Sequence, residues 1–407
     1  MRSFVPLSEM SAQERRIIVA LSTTTALLWI GASAIAPFLP IYLRERGSSV
    51  ALVGLIMASY FLASTVTQIP LGHLGDAVGH RGVIVAGLAV FAGGSVGFAV
   101  AGSPLWAIVF RALQGIGTGA LTVGAAATIA VRTSAANRGA AFGTLYGSRM
   151  VAFAIGPILG SLSGSGSLRT VFFGTAGLSL LAVAPVALLL RERQLGSVCA
   201  TGPFRSQRDA PEGRGRSTAG LPLNRAVTGA LVVFLATGYF SGMSEVCWTL
   251  LLRLRHASTY DVGLSWTLFA ILFAVLSVPA GRLANRLEPR LLCSCSLTWT
   301  ALFSAVYPLL HDVLLLVGLA AVEAVGAVVA APTALVVLSG SLSMRRQGAA
   351  QGVAQTAQTA AIALAAAISG ALFSQTPPLP FDVAALCGVV GAVVLFALWP
   401  YHTLKAT

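Results

Sequence analysis

Charge is what this 407-residue sequence has least of: only 10% of its residues are charged, against roughly a quarter in an ordinary soluble domain. So few charges cannot clothe a water-exposed surface of this size. A soluble protein, a disordered chain and a nucleic-acid binder are therefore poor readings, despite a formal net charge of +13. Cysteine is scarce too. The five residues Cys199, Cys247, Cys293, Cys295 and Cys387 are odd in number and scattered. That pattern argues against a disulfide framework, and Cys293-x-Cys295 lacks the further ligands of a metal site. No convincing phosphate-binding loop and no convergent His or Cys cluster is present, so neither catalysis nor a cofactor is expected.

What the chain has in abundance is apolar residues, 56% of the total. They fall into runs of about 20, each long enough to cross a hydrocarbon core roughly 30 Å thick. Twelve spans are expected, at 16–43, 50–75, 82–102, 104–131, 138–163, 169–190, 225–252, 260–284, 290–310, 313–339, 348–373 and 382–400. Short breaks of Gly, Pro, Ser and Arg separate them. Arg15-Arg16, an apolar stretch and Ala32-Ser33-Ala34 imitate a cleavable signal peptide. The apolar run continues past that point, however, and eleven more spans follow, so the segment reads as a true span.

The basic residues set the orientation. With a cytoplasmic N-terminus, 19 of the 26 fall in cytoplasmic segments and five in outer ones, leaving Arg111 and Arg149 within spans. This positive-inside bias places both termini in the cytoplasm of a multi-pass inner-membrane protein. The segment 191–224 is rich in Arg, Gly, Ser and Pro and reads as a flexible cytoplasmic linker. It divides the chain into six-span halves at 1–190 and 225–407. Its arginines read as topology determinants rather than as a lipid-binding patch. An offset of 209 residues matches Pro70 with Pro279, Gly72 with Gly281, Leu74 with Leu283 and Arg81 with Arg290. Both copies lie at the cytoplasmic end of the second span of a half, as duplication would leave them.

The segment Gly72-His73-Leu74-Gly75-Asp76-Ala77-Val78-Gly79-His80-Arg81 resembles the loop motif of the major facilitator superfamily, and 281–290 resembles its degenerate second copy. Ala77 and His80 depart from the pattern, which has basic residues there. Arg111-x-x-Gln114-Gly115 resembles a motif that this family links to proton coupling. Gly156-Pro157-x-x-Gly160 resembles the signature of its antiporters. The resemblance implies an all-α integral membrane fold of 12 transmembrane helices in two pseudo-symmetric six-helix halves, similar to the drug:proton antiporter group. It also implies that Gly72, Asp76, Gly79 and Arg81 form a gate, Asp76 pairing with Arg81 or meeting span eleven. A local cap that merely fixes the turn is the other reading of Asp76.

Charges inside the membrane carry the most information, because each costs several kcal/mol unless it faces a cavity or a partner. Arg111, Arg149, Glu245 and Glu323 all have apolar sequence neighbours on both sides. Arg149 lies about 16 Å into its span at 1.5 Å per residue, close to the midplane, and Glu323 is similarly deep. The cations belong to the first half and the carboxylates to the second. A polarised cavity between halves is therefore expected, with Glu323 as main proton carrier, Glu245 second and Arg111 assisting; purely structural ion pairs are the alternative. Arg149, Gln114 and the helical series Gln351, Gln355 and Gln358 are candidates for lining the cavity, although the glutamines fit a helix-packing seam equally well. Gly143, Gly147, Gly156, Gly160 and Gly164 permit close helix approach in span five, where Pro157 introduces a bend.

The resulting expectation is a monomeric, proton-coupled exporter of small amphipathic or drug-like compounds, working by alternating access. Its partners are a small-molecule substrate, protons and the lipid bilayer, with no nucleic acid. Alternatives are a facilitator or proton symporter importing an organic anion anchored by Arg149, and a non-transporting membrane scaffold or sensor.

Overall fold

The computed structural model describes residues 10–134, 137–162, 168–190, 224–284, 286–341 and 344–399. Residues 191–223 of the expected linker, and Gly164, lie outside the described residues. Among the described residues no strand forms, and twelve helices are long and apolar enough to cross a membrane. The first half holds span 1 (Ala12–Glu45), span 2 (Val50–Val78), span 3 (His80–Val100), span 4 (Pro104–Arg132), span 5 (Arg138–Leu162) and span 6 (Leu168–Leu189). The second holds span 7 (Arg225–Leu254), span 8 (Thr259–Ser277), span 9 (Pro289–Leu309), span 10 (Val313–Leu338), span 11 (Gln351–Gln375) and span 12 (Leu379–Leu398). All twelve expected spans are present, with ends shifted by a few residues.

Local chemistry sets the ends and breaks. Ser11, Ser49, Asn224 and Asp312 each accept a hydrogen bond from a backbone amide three residues on, which satisfies a donor left open at a helix start. Gly79, at φ +99°, reverses the chain between spans 2 and 3 in a conformation that favours glycine. Span 1 is helical to Ile35, tightens over Ala36–Phe38 and resumes at Leu39, because Pro37 and Pro40 supply no backbone donor. Pro332 has the same effect on span 10, whose helix breaks between Ala327 and Ala330. Pro70, Pro157 and Pro279 sit inside unbroken helices.

The face that bears the first residues of span 1 and the last of span 12 is called the terminal face here, and its opposite the far face. Toward the far face a single core joins both halves. Phe38, Ile56, Phe98 and Phe172 pack with Val246, Leu251, Tyr307 and Phe381. Toward the terminal face that shared core is replaced by two separate ones. Ile18, Leu88, Leu121 and Val186 come from the first half alone, and Val227, Leu297, Val337 and Trp399 from the second alone. The halves thus meet at the far face and part at the terminal face.

The 209-residue offset extends well beyond the loop motif, and the contacts obey it. Gly47 and His256 both have positive φ, +84° and +60°. Arg44 Nη1 donates to the Ser48 carbonyl at 2.8 Å, and Arg253 Nη1 donates to that of Ala257 at 3.1 Å. Gly54 of span 2 lies against Ala366 and Gly370 of span 11, while Gly263 of span 8 lies against Pro157 and Ser161 of span 5. Each residue and its counterpart are 209 positions apart, the second-half member always the later one, so that Pro157 and Ser161 correspond to Ala366 and Gly370. The two glycine contacts are thus copies of one closure, repeated on opposite sides of the molecule.

Candidate functional site

The intramembrane charges fall into three places. Arg111 of span 4 donates from Nη1 to Gln114 Oε1 at 2.9 Å, one helical turn on, and Gln114 Nε2 donates to Ser95 Oγ of span 3 at 2.9 Å. The guanidinium also lies over the Tyr60 ring of span 2, 4.4 Å from its centroid. Glu245 of span 7 approaches from the other half and stands within electrostatic range of Arg111. Among the described residues the two form no ion pair at 4.0 Å or less, and Glu245 Oε2 is buried without a hydrogen bond. Tyr60 is the hub of this group, within reach of the charges on Arg111, Arg149 and Glu245.

Arg149 occupies the second place. Its guanidinium stacks over Trp29 of span 1 at 4.1 Å and lies 5.6 Å from the Phe153 ring; its Nε makes no hydrogen bond. Glu323 occupies the third place, apart from both arginines. It is 3% exposed and accepts a 2.5 Å hydrogen bond from the Tyr307 hydroxyl of span 9. Trp248 of span 7 packs edge-on against Tyr307 at 4.8 Å and closes this pocket within the second half. The structure therefore places Glu245, rather than Glu323, opposite the first-half cation Arg111.

Gln358 of span 11 donates to Thr237 Oγ1 of span 7 at 3.4 Å, and Gln355 donates to Gln358 Oε1 at 3.4 Å. Gln351 and Gln355 are exposed. Polar side chains exposed along an apolar helix belong against water rather than lipid, so this stretch of span 11 borders the opening at the terminal face. The opening is also visible on span 5, where a Cβ added at Gly143 or Gly147 would meet nothing within 4 Å.

Span 5 thus divides into two regimes. Gly156 and Gly160 are pressed against span 1, at Ser33 and Ile30 and at Ala34 and Phe38 respectively. Pro157 and Ser161 carry the contact with span 8. The expected close packing holds for Gly156 and Gly160 but not for Gly143 and Gly147, because the halves have parted at that level.

The loop motif departs from the expected pairing. Asp76 does not pair with Arg81: its side chain is 74% exposed and meets His80 Nε2 at 3.4 Å. Arg81 instead donates to the Ala187 carbonyl of span 6 at 3.0 Å. The cause is the turn at Gly79, which starts span 3 at His80 and directs Arg81 toward span 6. A Cβ at Gly75 would strike the His80 ring, so the second glycine of the motif provides the space that His80 fills. A Cβ at Gly72 would make only ordinary contact, 3.4 Å from Val123.

Sequence reasoning overlooked Tyr60 and Tyr307 as charge partners, and Gly54, Gly263 and Gly370 as contacts between halves. The 209-residue offset was the signal that would have found the glycines. No comparable sequence signal marks Tyr60.

A family model described as Major Facilitator Superfamily matches residues 21–252 and again 226–406. The inner membrane transport protein YajR of Escherichia coli (strain K12) is 38% identical over 156 residues, which is 38% of this chain and 34% of that protein. The multidrug resistance protein MdtG of Klebsiella pneumoniae (strain 342) is 25% identical over 186 residues, 44% of this chain and 45% of that one. These matches span between about a third and half of the relatives' own length. Among solved structures, a bacterial homologue of the human lysosomal transporter Spinster, in an inward-facing and occupied conformation, superposes with a TM-score of 0.77 at 15% identity, covering 94% of this chain and 96% of that one.

Proposed function

This chain belongs to the major facilitator superfamily and is a multi-pass membrane transporter rather than an enzyme, and we propose that it is a proton-coupled exporter of small amphipathic compounds. The observation that carries this reading is the pair Arg111 and Glu245, one from each half, held within electrostatic range without an ion pair. Burial disfavours a charged carboxylate and a nearby cation favours it. Relative movement of the halves therefore changes how readily Glu245 holds a proton, and that change is what couples proton flow to movement of a substrate. Glu323, tied to Tyr307, is the second candidate carrier.

The positive-inside bias supports placing the terminal face in the cytoplasm of the inner membrane. The described state is then open to the cytoplasm, the state in which an exporter loads. The domains are 1–190, the linker 191–224, and 225–407. Reversal requires the glycine contacts at the far face to separate and the terminal face to close. In that closure Asp76, exposed in the present state, meets the cytoplasmic end of span 11. The drug-resistance names among the relatives support efflux, and the chain acts as a monomer.

Proteoliposomes with an imposed pH gradient test the reading against a panel of cationic dyes and organic anions. Accumulation against the proton flow, lost in Glu245→Gln, is the expected result. Movement of substrate with the proton would sink the antiport reading, and no movement of any compound would sink export altogether.

A further inference from the structure

Of the four charges within the membrane, three have an electrostatic counterpart or a hydrogen bond from another span. Glu323 has Tyr307, and Arg111 and Glu245 have each other. Arg149 has neither. Among the described residues no carboxylate lies within 4.0 Å of it, and its nearest electrostatic neighbours are the hydroxyls of Tyr60 and Tyr146. Stacking on Trp29 covers one face of the half-buried guanidinium and is worth about 0.5–2 kcal/mol, but it supplies no opposite charge. One ring face against the guanidinium plane leaves its N–H edge available, the edge that matches the two oxygens of a carboxylate.

The internal repeat adds a second group at the same depth. Residue 149 advanced by 209 is Gln358, so the axis relating the two halves places the Gln358 carboxamide at the level of Arg149 on the opposite wall. Among the described residues its only hydrogen bond to another span is the long 3.4 Å contact with Thr237, which a better acceptor can replace. The counterpart of Trp29 is Gly238, so the second half offers a small residue where the first offers an indole. A Cβ at Gly238 would strike the Gln358 carbonyl and Ala361, so span 11 packs directly on this position and the aromatic surface lies on the first-half side alone.

We infer that the site takes an amphipathic organic monoanion, its carboxylate held by Arg149 and Gln358 from opposite halves and its apolar body against Trp29 and Phe153. Two arginines and one carboxylate around Tyr60 leave the site one positive charge in excess, which admits such an anion and opposes a cation. This inference rests on the transport reading for its site but on neither the proton coupling nor the direction.

The test is equilibrium binding to the purified full chain in nanodiscs, without any gradient, using naphthaleneacetate, its neutral amide and naphthylethylammonium as matched probes. The anion is expected to bind about tenfold more tightly than the amide, as one charge-assisted hydrogen-bond pair implies, and the ammonium most weakly. Arg149→Gln should abolish the preference for the anion over the amide, and an unchanged thermal midpoint and elution profile of the purified variant shows that it is folded. Gln358→Ala should weaken the anion about threefold and keep the ranking. Equal or tighter binding of the amide or ammonium, undetectable binding of the anion, or an undiminished preference in Arg149→Gln would overturn the inference. Transport of the anion along with protons would instead overturn antiport and leave this site standing.

Discussion

The two glycine contacts at the far face make a quantitative claim about conformational balance. A Cβ at Gly263 would lie 2.7 Å from Ser161 Cβ and 2.8 Å from the Pro157 carbonyl oxygen. Both approaches are too short, and the carbonyl is backbone, so Gly263→Ala must push spans 5 and 8 apart. Overpacking of this kind costs about 1–3 kcal/mol. The gain in helix propensity, about 1 kcal/mol, is present whichever face is open and cancels from the comparison. At 1.4 kcal/mol per factor of ten, the population should move about 5- to 150-fold toward the far-open state. Gly54→Ala meets the symmetry-related obstacle at Ala366 and Gly370 and should act by a similar factor; because the two contacts lie on different sides of the molecule, the two effects should multiply. Spin labels at Leu162→Cys and Tyr260→Cys, with the native cysteines replaced, report the separation across this contact by pulsed electron resonance. The control is Gly147→Ala on the same span, where added volume meets open space. An unchanged distance distribution in Gly263→Ala, or an equal shift in Gly147→Ala, would refute the assignment of the far face as the closed one.

Three further outcomes follow from other contacts. Tyr307→Phe leaves buried Glu323 with neither oxygen bonded, since Oε1 already has no partner. It should lower stability by about 1–3 kcal/mol, seen as a lower thermal midpoint in detergent. Gln114→Leu removes one partner each from Arg111 and Ser95 and should destabilise by a similar amount, whereas a loss below about 0.5 kcal/mol would show that water replaces the amide. Glu45→Gln breaks the 3.5 Å pair with Arg253 across the far face, but the two side chains are 46% and 34% exposed. Its effect on the same spin-label distances should stay below about 1 kcal/mol, well short of Gly263→Ala.

The spans and the duplication were legible because both rest on patterns that survive averaging: twenty-residue apolar runs and a fixed offset. The glycines of the Gly156 signature were legible as contacts because a small residue in a helix has few other uses. The same rule over-reached at Gly143 and Gly147, since spacing says nothing about which end of a helix is in contact in a given state. Asp76 could not be paired from sequence either. Arg81 and His80 are adjacent, and only the φ of Gly79 decides which of them returns to the carboxylate. Glu323 was legible as buried but not as separate from the arginines. That separation is made by Tyr307 and Trp248, which look like ordinary apolar-span aromatics when read in one dimension.

The two halves share their hinges and differ in their chemistry, and the division follows from what each must do. Closure of either face needs matched surfaces on both sides of the axis, and the corresponding pairs are retained: Gly54 with Gly263, Arg44 with Arg253, and the positive-φ turns at Gly47 and His256. The copies diverge instead at positions inside the spans that carry polar or charged side chains in at least one half. Gln114 has Glu323 as its counterpart, Phe98 has Tyr307, and Arg149 has Gln358. The first two substitutions act together, because Phe98 stacks on Phe172 whereas Tyr307 brings a hydroxyl to the extra carboxylate. A symmetric cavity would present the same charge on both walls and hold a small asymmetric solute no better in one orientation than in the other. In the proposed site, divergence at these positions on a symmetric frame sets the Arg149 guanidinium on one half and the neutral Gln358 carboxamide at the corresponding position of the other.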